Sequence, residues 1–173
     1  MPLKLTKLTS DHPVHAFTCG TKPGAKEIDD YLRTSALQEQ EAGLSAVWVV
    51  IDTDAERVDN VVVGFFTLSP VTVKVNPAVT AAVGLQSVSY PAVGGWLLGR
   101  LGVAVSHQGG TMGRDLVAAA RDKALELRES GGGAFLVVDP KNDALAAWYD
   151  SLQFGFQRLD PTNARVRRIF LKL

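Results

Sequence analysis

The stretch from Leu101 to Leu116, LGVAVSHQGGTMGRDL, combines residue types that can bind a phosphate group. The apolar residues 101–105 have the composition of a strand, and glycines follow at 109, 110 and 113. A strand that turns through glycines into a helix directs unpaired backbone N–H groups, and the positive end of the helix dipole, to one place. The stretch therefore favours an anion site, although a plain tight turn explains the glycines equally well.

Other residues that could do chemistry lack the necessary spacing. His12, His15 and His107 are scattered, with no acidic partner at ligand spacing, so no metal site is predicted. Cys19 has no signature of a nucleophile, and no Gly-x-Ser-x-Gly turn supports a serine hydrolase. His107 could act as a general base, but a role in ordering the turn before the glycines is the better prediction.

Charge and cysteine content limit the class of protein. The 173 residues carry 18 basic and 18 acidic side chains, which argues against a strong general attraction to nucleic acid or to an anionic membrane. The single cysteine excludes an internal disulfide and suits a reducing cytoplasm. No apolar run approaches the ~20 residues that span a bilayer, and no signal peptide is visible. We expect a soluble, cytoplasmic protein with one domain, residues 1–173.

The elements that must position the glycines alternate between strands and helices. Apolar runs or alternation predict strands at residues 3–7, 46–52, 61–68, 101–105, 134–139 and 165–172. Apolar periodicity predicts helices at residues 24–42, 112–129 and 143–152. Gly43 and the glycines at 131–133 stop the first two helices, and Asn142 is well placed to cap the third. This order predicts an α/β protein with a mixed sheet.

Three connections are predicted with less detail. Residues 52–60 form a charged turn that joins two strands into a hairpin. Residues 71–75 either extend the second arm of that hairpin or start another strand. Residues 76–95 lack clear periodicity and are interpreted as a long loop with a short helical turn at 79–83. Loops of this length in compact domains tend to be functional.

We define Gln108–Gly113 as the glycine loop. It resembles the pyrophosphate loop of the GNAT N-acetyltransferases, whose usual form is Gln/Arg-x-x-Gly-x-Gly/Ala, with Thr111 in place of the middle glycine. The preceding Arg-Leu-Gly-Val at 100–103 resembles the family's Arg-Leu-Ala-Val strand beside the pantetheine arm. The resemblance implies the GNAT fold, which is a mixed, mostly antiparallel twisted sheet flanked by helices, and acetyl-CoA as cosubstrate without a metal. It implies that acetyl-CoA is contacted by Leu101, Gly102, Val103, Gln108, Gly109, Gly110, Thr111, Met112, Gly113 and Asn142.

A second marker implies a catalytic residue. Trp148-Tyr149, followed by Gly155-Phe156, is similar to the family's aromatic-Tyr pair and its later Gly-Phe. In the family the matching tyrosine protonates the departing thiolate, and a phenol of pKa about 10 is a proton donor at pH 7. By spacing alone Tyr149 fits a core position, but together with the glycine loop the catalytic interpretation is favoured. At Thr111 we predict close approach of a phosphate rather than a positive φ, so that Thr111→Gly leaves acetyl-CoA affinity similar or better.

The front of the chain narrows the resemblance to the GNAT toxins. Their Phe-x-Cys-Gly and Leu-Asp-x-x-Leu patterns are similar to residues 17–20 and 28–32, and residues 63–69 and 90–91 fit as well. The resemblance implies acetylation of the amino group of aminoacyl-tRNA, a homodimer, and a ribbon-helix-helix antitoxin as partner. A local patch could contact the tRNA, although a run of this kind is more often a solvated strand face; it comprises Arg165, Arg167, Arg168 and Lys172.

Three functions remain open from the sequence. The first is a toxin that acetylates aminoacyl-tRNA. The second is an acetyltransferase for a small-molecule or protein amine, for which neutral charge is natural. The third is a non-catalytic module that binds acyl-CoA, suggested by Thr111 in the glycine loop.

Overall fold

The structure is a computed structural model that describes residues 2–53 and 61–173. The described strands are β1 (Leu3–Lys7), β2 (Ala46–Asp52), β3 (Val61–Lys74), β4 (Ala92–Val103), β5 (Phe135–Val138), β6 (Gln157–Arg158) and β7 (Ile169–Lys172). The described helices are α1 (Ala25–Thr34), α2 (Ala36–Glu41), α3 (Pro77–Val83), α4 (Met112–Gly131) and α5 (Asp143–Ser151).

The strands pair in the order β1-β2-β3-β4-β5-β7-β6. The pairs β1–β2, β2–β3, β5–β7 and β6–β7 are antiparallel, whereas β4–β5 is parallel. The predicted mixed, mostly antiparallel sheet is therefore confirmed, as is the hairpin of β2 and β3. Residues 54–60 of its predicted turn lie outside the described residues.

Contacts divide the chain into two compact units, each built from two stretches of sequence. The first unit contains Met1–Ser69 and Arg100–Ala120, and the second contains Pro70–Gly99 and Arg121–Leu173. The first unit buries large side chains fully, among them Phe17, Phe65, Leu32 and Leu116. The second has its own core, which consists of Val73, Val79, Phe135, Val137 and Phe170. The prediction of one functional domain over residues 1–173 stays a prediction.

The predicted helix at residues 24–42 is in fact two helices. The helix breaks at Ser35, which has φ −118° and ψ −30°. The hydroxyl of Thr34 donates to the carbonyl of Asp30 at 2.7 Å, the type of side-chain bond that competes with regular helix. Gly43 ends the second helix with φ 74°, as its type predicts.

The long loop predicted at residues 76–95 is wrong at both ends. Asn76 accepts a bond from the backbone N–H of Val79 at 2.9 Å and caps α3, which is longer than the helical turn predicted there. At the other end, residues 92–95 already belong to β4. A Cβ on Gly95 would lie 3.0 Å from the carbonyl oxygen of Phe135, so this glycine permits close strand pairing rather than a loop.

The last strand is shorter than predicted, and a strand was missed. Residues 165–168 precede β7, which begins at Ile169, and the two-residue strand β6 pairs with it. Residues 71–75 continue the hairpin arm, since β3 runs unbroken to Lys74. Among residues 2–53 and 61–173, no helix is long and apolar enough to cross a membrane.

Candidate acyl-CoA site

The glycine loop connects the end of β4 to the start of α4. A 3₁₀ turn at Val105–His107 follows the strand, and Gly109 has a φ of 81°, which favours glycine. The Thr111 hydroxyl donates to Asp115 Oδ2 at 2.7 Å, and the Asp115 N–H donates to the Thr111 carbonyl at 2.9 Å. These bonds fix the first turn of a 20-residue helix, whose leading N–H groups have no carbonyl four residues earlier to bind.

Space and conformation at the glycine loop suit a phosphate. A Cβ at Gly109 or at Gly110 would meet no atom within 4 Å, so both face open space. Within the described residues the only side-chain-bearing residue with a positive φ is Gln153, so Thr111 has an ordinary conformation. The predicted approach of a phosphate to the Thr111 hydroxyl stays a prediction, because that hydroxyl already binds Asp115.

Gly102 is required by the core of the first unit. A Cβ there would lie 2.6 Å from Phe65 Cε1 and 2.9 Å from Ile28 Cγ2, so these side chains would have to move. Its neighbours Leu101 and Val103 are half-buried, and successive strand residues face opposite sides. Any contact that Gly102 makes with a cofactor would therefore come from its backbone.

The side chain of Gln108 binds protein rather than pointing freely into solvent. Its Nε2 donates to the Val103 carbonyl and to the Cys19 carbonyl, each at 2.9 Å. Both acceptors are carbonyl oxygens, so the assignment of the amide nitrogen is fixed by chemistry. The glycine loop is thereby tied to the end of β4 and to Phe17–Gly20, which we name the front segment.

Asp29, on α1, holds the front segment through hydrogen bonds. It is 5% exposed, and its two oxygens accept the Cys19 N–H at 2.7 Å and the Thr18 hydroxyl at 2.9 Å. The Arg33 guanidinium lies 3.9 Å away. The front segment also accepts a bond at the Thr18 carbonyl from the Val105 N–H, at 2.9 Å.

Asp29 falls within the pattern at residues 28–32, but no role for it was predicted from the sequence. The buried face of α1 includes Ala25, Asp29 and Leu32, so the signal was an acidic residue at helical spacing among apolar ones. Ile28, the apolar residue next to Asp29, is only half-buried.

Cys19 is unsuited to nucleophilic chemistry. Burial, reinforced by the charge and hydrogen bond of Asp29, raises the pKa of the Cys19 thiol to about 12. The thiolate is the reactive form, and at neutral pH almost none is present.

A cation–π contact made by a residue of β4 was not predicted from the sequence. The guanidinium of Arg100 lies 3.8 Å from the ring centroid of Tyr31, a cation–π geometry. The Tyr31 hydroxyl donates to Glu39 at 2.9 Å, and burial is the main cause that raises the pKa of Tyr31. The side chain of Arg100 thus has an aromatic partner, and its backbone N–H donates to the Thr67 hydroxyl. The local spacing of residues predicts neither contact.

The second unit holds the other predicted residues. Asn142 Oδ1 accepts the Leu145 N–H at 2.8 Å, which confirms the predicted helix cap. Tyr149 is 4% exposed, and its ring packs edge-on against Trp148 and Phe156. Burial raises the pKa of Tyr149 well above its ordinary value. The catalytic role of Tyr149 stays a prediction, and its core packing is a fact.

Two arginines of the predicted basic patch are paired with acids. Arg168 donates from Nε and Nη2 to both oxygens of Asp139 at 2.7 Å, and this partner raises the pKa of Arg168. Arg167 Nε donates to Asp143 at 2.9 Å. These pairs reduce the positive charge available to a nucleic acid.

The same part of the second unit contains an open cleft of about 400 Å³. One side is formed by α5, which contributes two carboxylates, and Phe156 forms part of the wall. The cleft is lined by Asp143, Ala146, Ala147, Asp150, Phe156, Arg158, Arg167 and Ile169. Phe156 also packs against Tyr149, at 5.6 Å between ring centroids. One side chain that lines the cleft therefore contacts the predicted catalytic residue.

The histidines do not form a metal site in the described part of the chain, where no group of three or more potential ligands was found. His12 Nδ1 accepts the Thr9 N–H at 2.9 Å. His107 Nδ1 lies 2.9 Å from the Ser106 hydroxyl, inside the 3₁₀ turn before the glycine loop. The loop-ordering role predicted for His107 fits this position.

Comparison with solved structures identifies the fold. AtaT complexed with acetyl-methionyl-tRNAfMet matches with a TM-score of 0.79 and 22% identity, over 99% of this chain and 95% of that one. A tyrosine-to-phenylalanine mutant of KacT matches with a TM-score of 0.82 and 19% identity, over 99% and 95%. AtaTR bound with AcCoA matches with a TM-score of 0.78 and 22% identity, over 98% and 93%. No protein-family model matches the chain. The predicted GNAT fold is confirmed.

Proposed function

We propose that this protein is an acetyl-CoA-dependent N-acetyltransferase, acting as one domain over residues 1–173. The observation that carries the proposal is the glycine loop. It combines a left-handed Gly109, open space at Gly109 and Gly110, and the first turn of a 20-residue helix. It occurs on a fold shared with AtaTR, which has been crystallised with AcCoA.

The donors present fit the diphosphate of acetyl-CoA. Backbone N–H groups at residues 109–113 supply donors and the helix dipole supplies partial positive charge. Leu101 and Val103 offer half-buried apolar surface for the pantetheine arm. Asn142 uses Oδ1 for its cap and retains its amide hydrogens for a ligand.

In the proposed reaction the acceptor amine attacks the thioester carbonyl, the C–N bond forms and the C–S bond breaks. The protein contributes by binding the two partners as an oriented pair. The departing thiolate takes a proton, and we assign its donation to Tyr149. The attacking nitrogen releases a proton to solvent water, and the Tyr149 phenolate takes one back from solvent. Because the pKa of Tyr149 is raised, the phenol stays protonated throughout the physiological range.

For the acceptor we propose the amino group of aminoacyl-tRNA, which would make the protein a translation-blocking toxin of the cytoplasm. This assignment is supported by the resemblance at the front of the chain and by the AtaT complex with acetyl-methionyl-tRNAfMet. We further propose that the protein forms a homodimer and binds a ribbon-helix-helix antitoxin. The residues proposed to contact the tRNA are Arg165, Arg167, Arg168 and Lys172. A structure similar to this chain is that of a mutant AtaT toxin bound to the C-terminus of the antitoxin AtaR and to acetyl-CoA.

The test uses purified protein, acetyl-CoA labelled in the acetyl group, and aminoacyl-tRNA. We expect label on the tRNA and release of free CoA, with Tyr149→Phe reducing the rate about 100-fold while acetyl-CoA affinity is retained. Trp148→Phe, a neighbouring aromatic change, is the matched control and should keep most of the activity. Label transfer at an unchanged rate by Tyr149→Phe would remove Tyr149 from the mechanism.

An acetyltransferase for a small or protein amine is the second candidate. The observation that favours it is the cleft beside α5, where the carboxylate of Asp150 could attract a cationic amine, while Asp143 is paired with Arg167. Acetylation of polyamines or lysine peptides, without labelling of tRNA, would favour this candidate. Acetyl-CoA binding without transfer to any acceptor would instead favour the non-catalytic module.

A further inference from the structure

The two amide hydrogens of Gln108 are both used inside the protein. One bond goes to the carbonyl of Val103, at the end of β4, and the other to the carbonyl of Cys19, in the front segment. A glutamine amide has two N–H donors and one acceptor oxygen. In this arrangement Gln108 has no side-chain donor left for a phosphate, and its remaining oxygen would repel one.

The partner of Gln108 is itself held in place. The same residue that accepts from Gln108 donates its own N–H to the buried Asp29, at 2.7 Å. Asp29 also accepts the Thr18 hydroxyl, and the Arg33 guanidinium donates to the Phe17 carbonyl. Removing the Asp29 acceptor would leave a buried N–H unsatisfied and release the segment that Gln108 grips.

The front segment also meets the strand end directly. The Thr18 carbonyl accepts the Val105 N–H at 2.9 Å. A Cβ on Gly20, whose φ is 95°, would lie 2.9 Å from Val105 Cγ2. The contact is close enough that a shift of the front segment would displace the 3₁₀ turn leading into the glycine loop.

We infer that Gln108 and Asp29 are positioning residues for the acyl-CoA site and act through the front segment. Gln108 holds the glycine loop to the end of β4, and Asp29 holds the front segment against both. The inference rests on the proposed binding of acetyl-CoA. It assigns to Gln108 an indirect role in place of direct contact with the cofactor.

The test is a double-mutant cycle read by acetyl-CoA affinity, with calorimetry at a temperature where every variant is folded. Gln108→Met retains the length of the side chain without its donors, and we expect the Kd to rise about tenfold. Asp29→Asn keeps the shape but loses an acceptor, and should raise the Kd by a similar factor. Because both act on one segment, the double variant should bind within about twofold of Gln108→Met.

A general loss of stability must be separated from positioning. Val79→Ala removes fully buried side-chain atoms from the core of the second unit, which includes no residue of the front segment, and its Kd should equal that of the wild type. Without ligand, Gln108→Met should also lower the urea midpoint, which a residue that touched only the ligand would not do.

Three outcomes would overturn the inference. The Kd of Gln108→Met equals that of the wild type, the two substitutions multiply to about a hundredfold, or Val79→Ala weakens binding as much as they do. Wild-type protein that fails to bind acetyl-CoA would instead contradict the proposed function. The two failures are therefore distinguishable.

Discussion

The two compact units use carboxylates in different ways. In the first, Asp29 is 5% exposed and its oxygens accept bonds from a backbone N–H and a hydroxyl. In the second, the Asp139 and Asp143 side chains are 48% and 87% exposed and pair with arginines. A buried acceptor leaves unsatisfied donors when it is removed, whereas exposed pairs gain little and are screened by salt. The first unit should therefore depend on its internal geometry far more than the second depends on its charges.

The largest difference should appear when one carboxylate is removed from each unit. Asp29→Ala should lower the free energy of unfolding by about 3 kcal/mol, because a buried N–H and a hydroxyl lose their acceptor. Asp139→Ala, the control in the second unit, should cost less than about 1 kcal/mol. Urea unfolding followed by circular dichroism measures both, and equal losses would break the comparison.

A Cβ added at Gly102, in the core of the first unit, should also be poorly tolerated. Gly102→Ala would place a methyl group 2.6 Å from Phe65 Cε1, and the resulting overpacking should cost about 2 kcal/mol. In the second unit a Cβ on Gly131, at the end of α4, meets no atom within 4 Å. Gly131→Ala should be neutral or slightly stabilising in thermal unfolding. A Gly102→Ala protein as stable as the wild type would mean that Phe65 can move aside.

The buried thiol gives the first unit a specific dependence on alkaline pH. The pKa of Cys19 is raised from 9.0 to about 12 on folding, so the folded state resists deprotonation. This stability is complete below pH 9 and is lost as pH rises towards 12. Between pH 8 and pH 10 the wild type should lose about 1 kcal/mol more than Cys19→Ala. The two proteins share every other titrating group, so parallel pH curves would show that the thiol titrates normally.

The smallest effects should come from the ion pairs of the second unit. A double-mutant cycle for Asp139 and Arg168, which share two hydrogen bonds, should give a coupling of about 0.5 kcal/mol. The more exposed pair of Asp143 and Arg167 should give less. Both couplings should fall in 1 M salt, where the Debye length is about 3 Å. A coupling energy larger than the loss of about 3 kcal/mol expected for Asp29→Ala would reverse the comparison.

Local sequence patterns predicted the elements whose formation depends mainly on neighbouring residues. The apolar runs of β2 and β5, the glycine stops and the Asn142 cap act through neighbouring residues, and each occurs where predicted. The errors fall where a distant partner decides. Residues 92–95 read as loop from their glycines, yet they form strand because Gly95 lets the carbonyl of Phe135 approach to 3.0 Å.

The candidate site shows the same division. By itself, the sequence determined the glycine loop and the helix start, because that motif is contiguous and its backbone geometry follows from its residue types. The strand before it was predicted at residues 101–105 but runs from Ala92 to Val103. Only the tertiary structure decided what its side chains do. Gln108 binds a carbonyl 89 residues away, and Arg168 is neutralised by an acid 29 residues away. Such bonds depend on which strands and segments come together in the fold, and the spacing of neighbouring residues does not determine that.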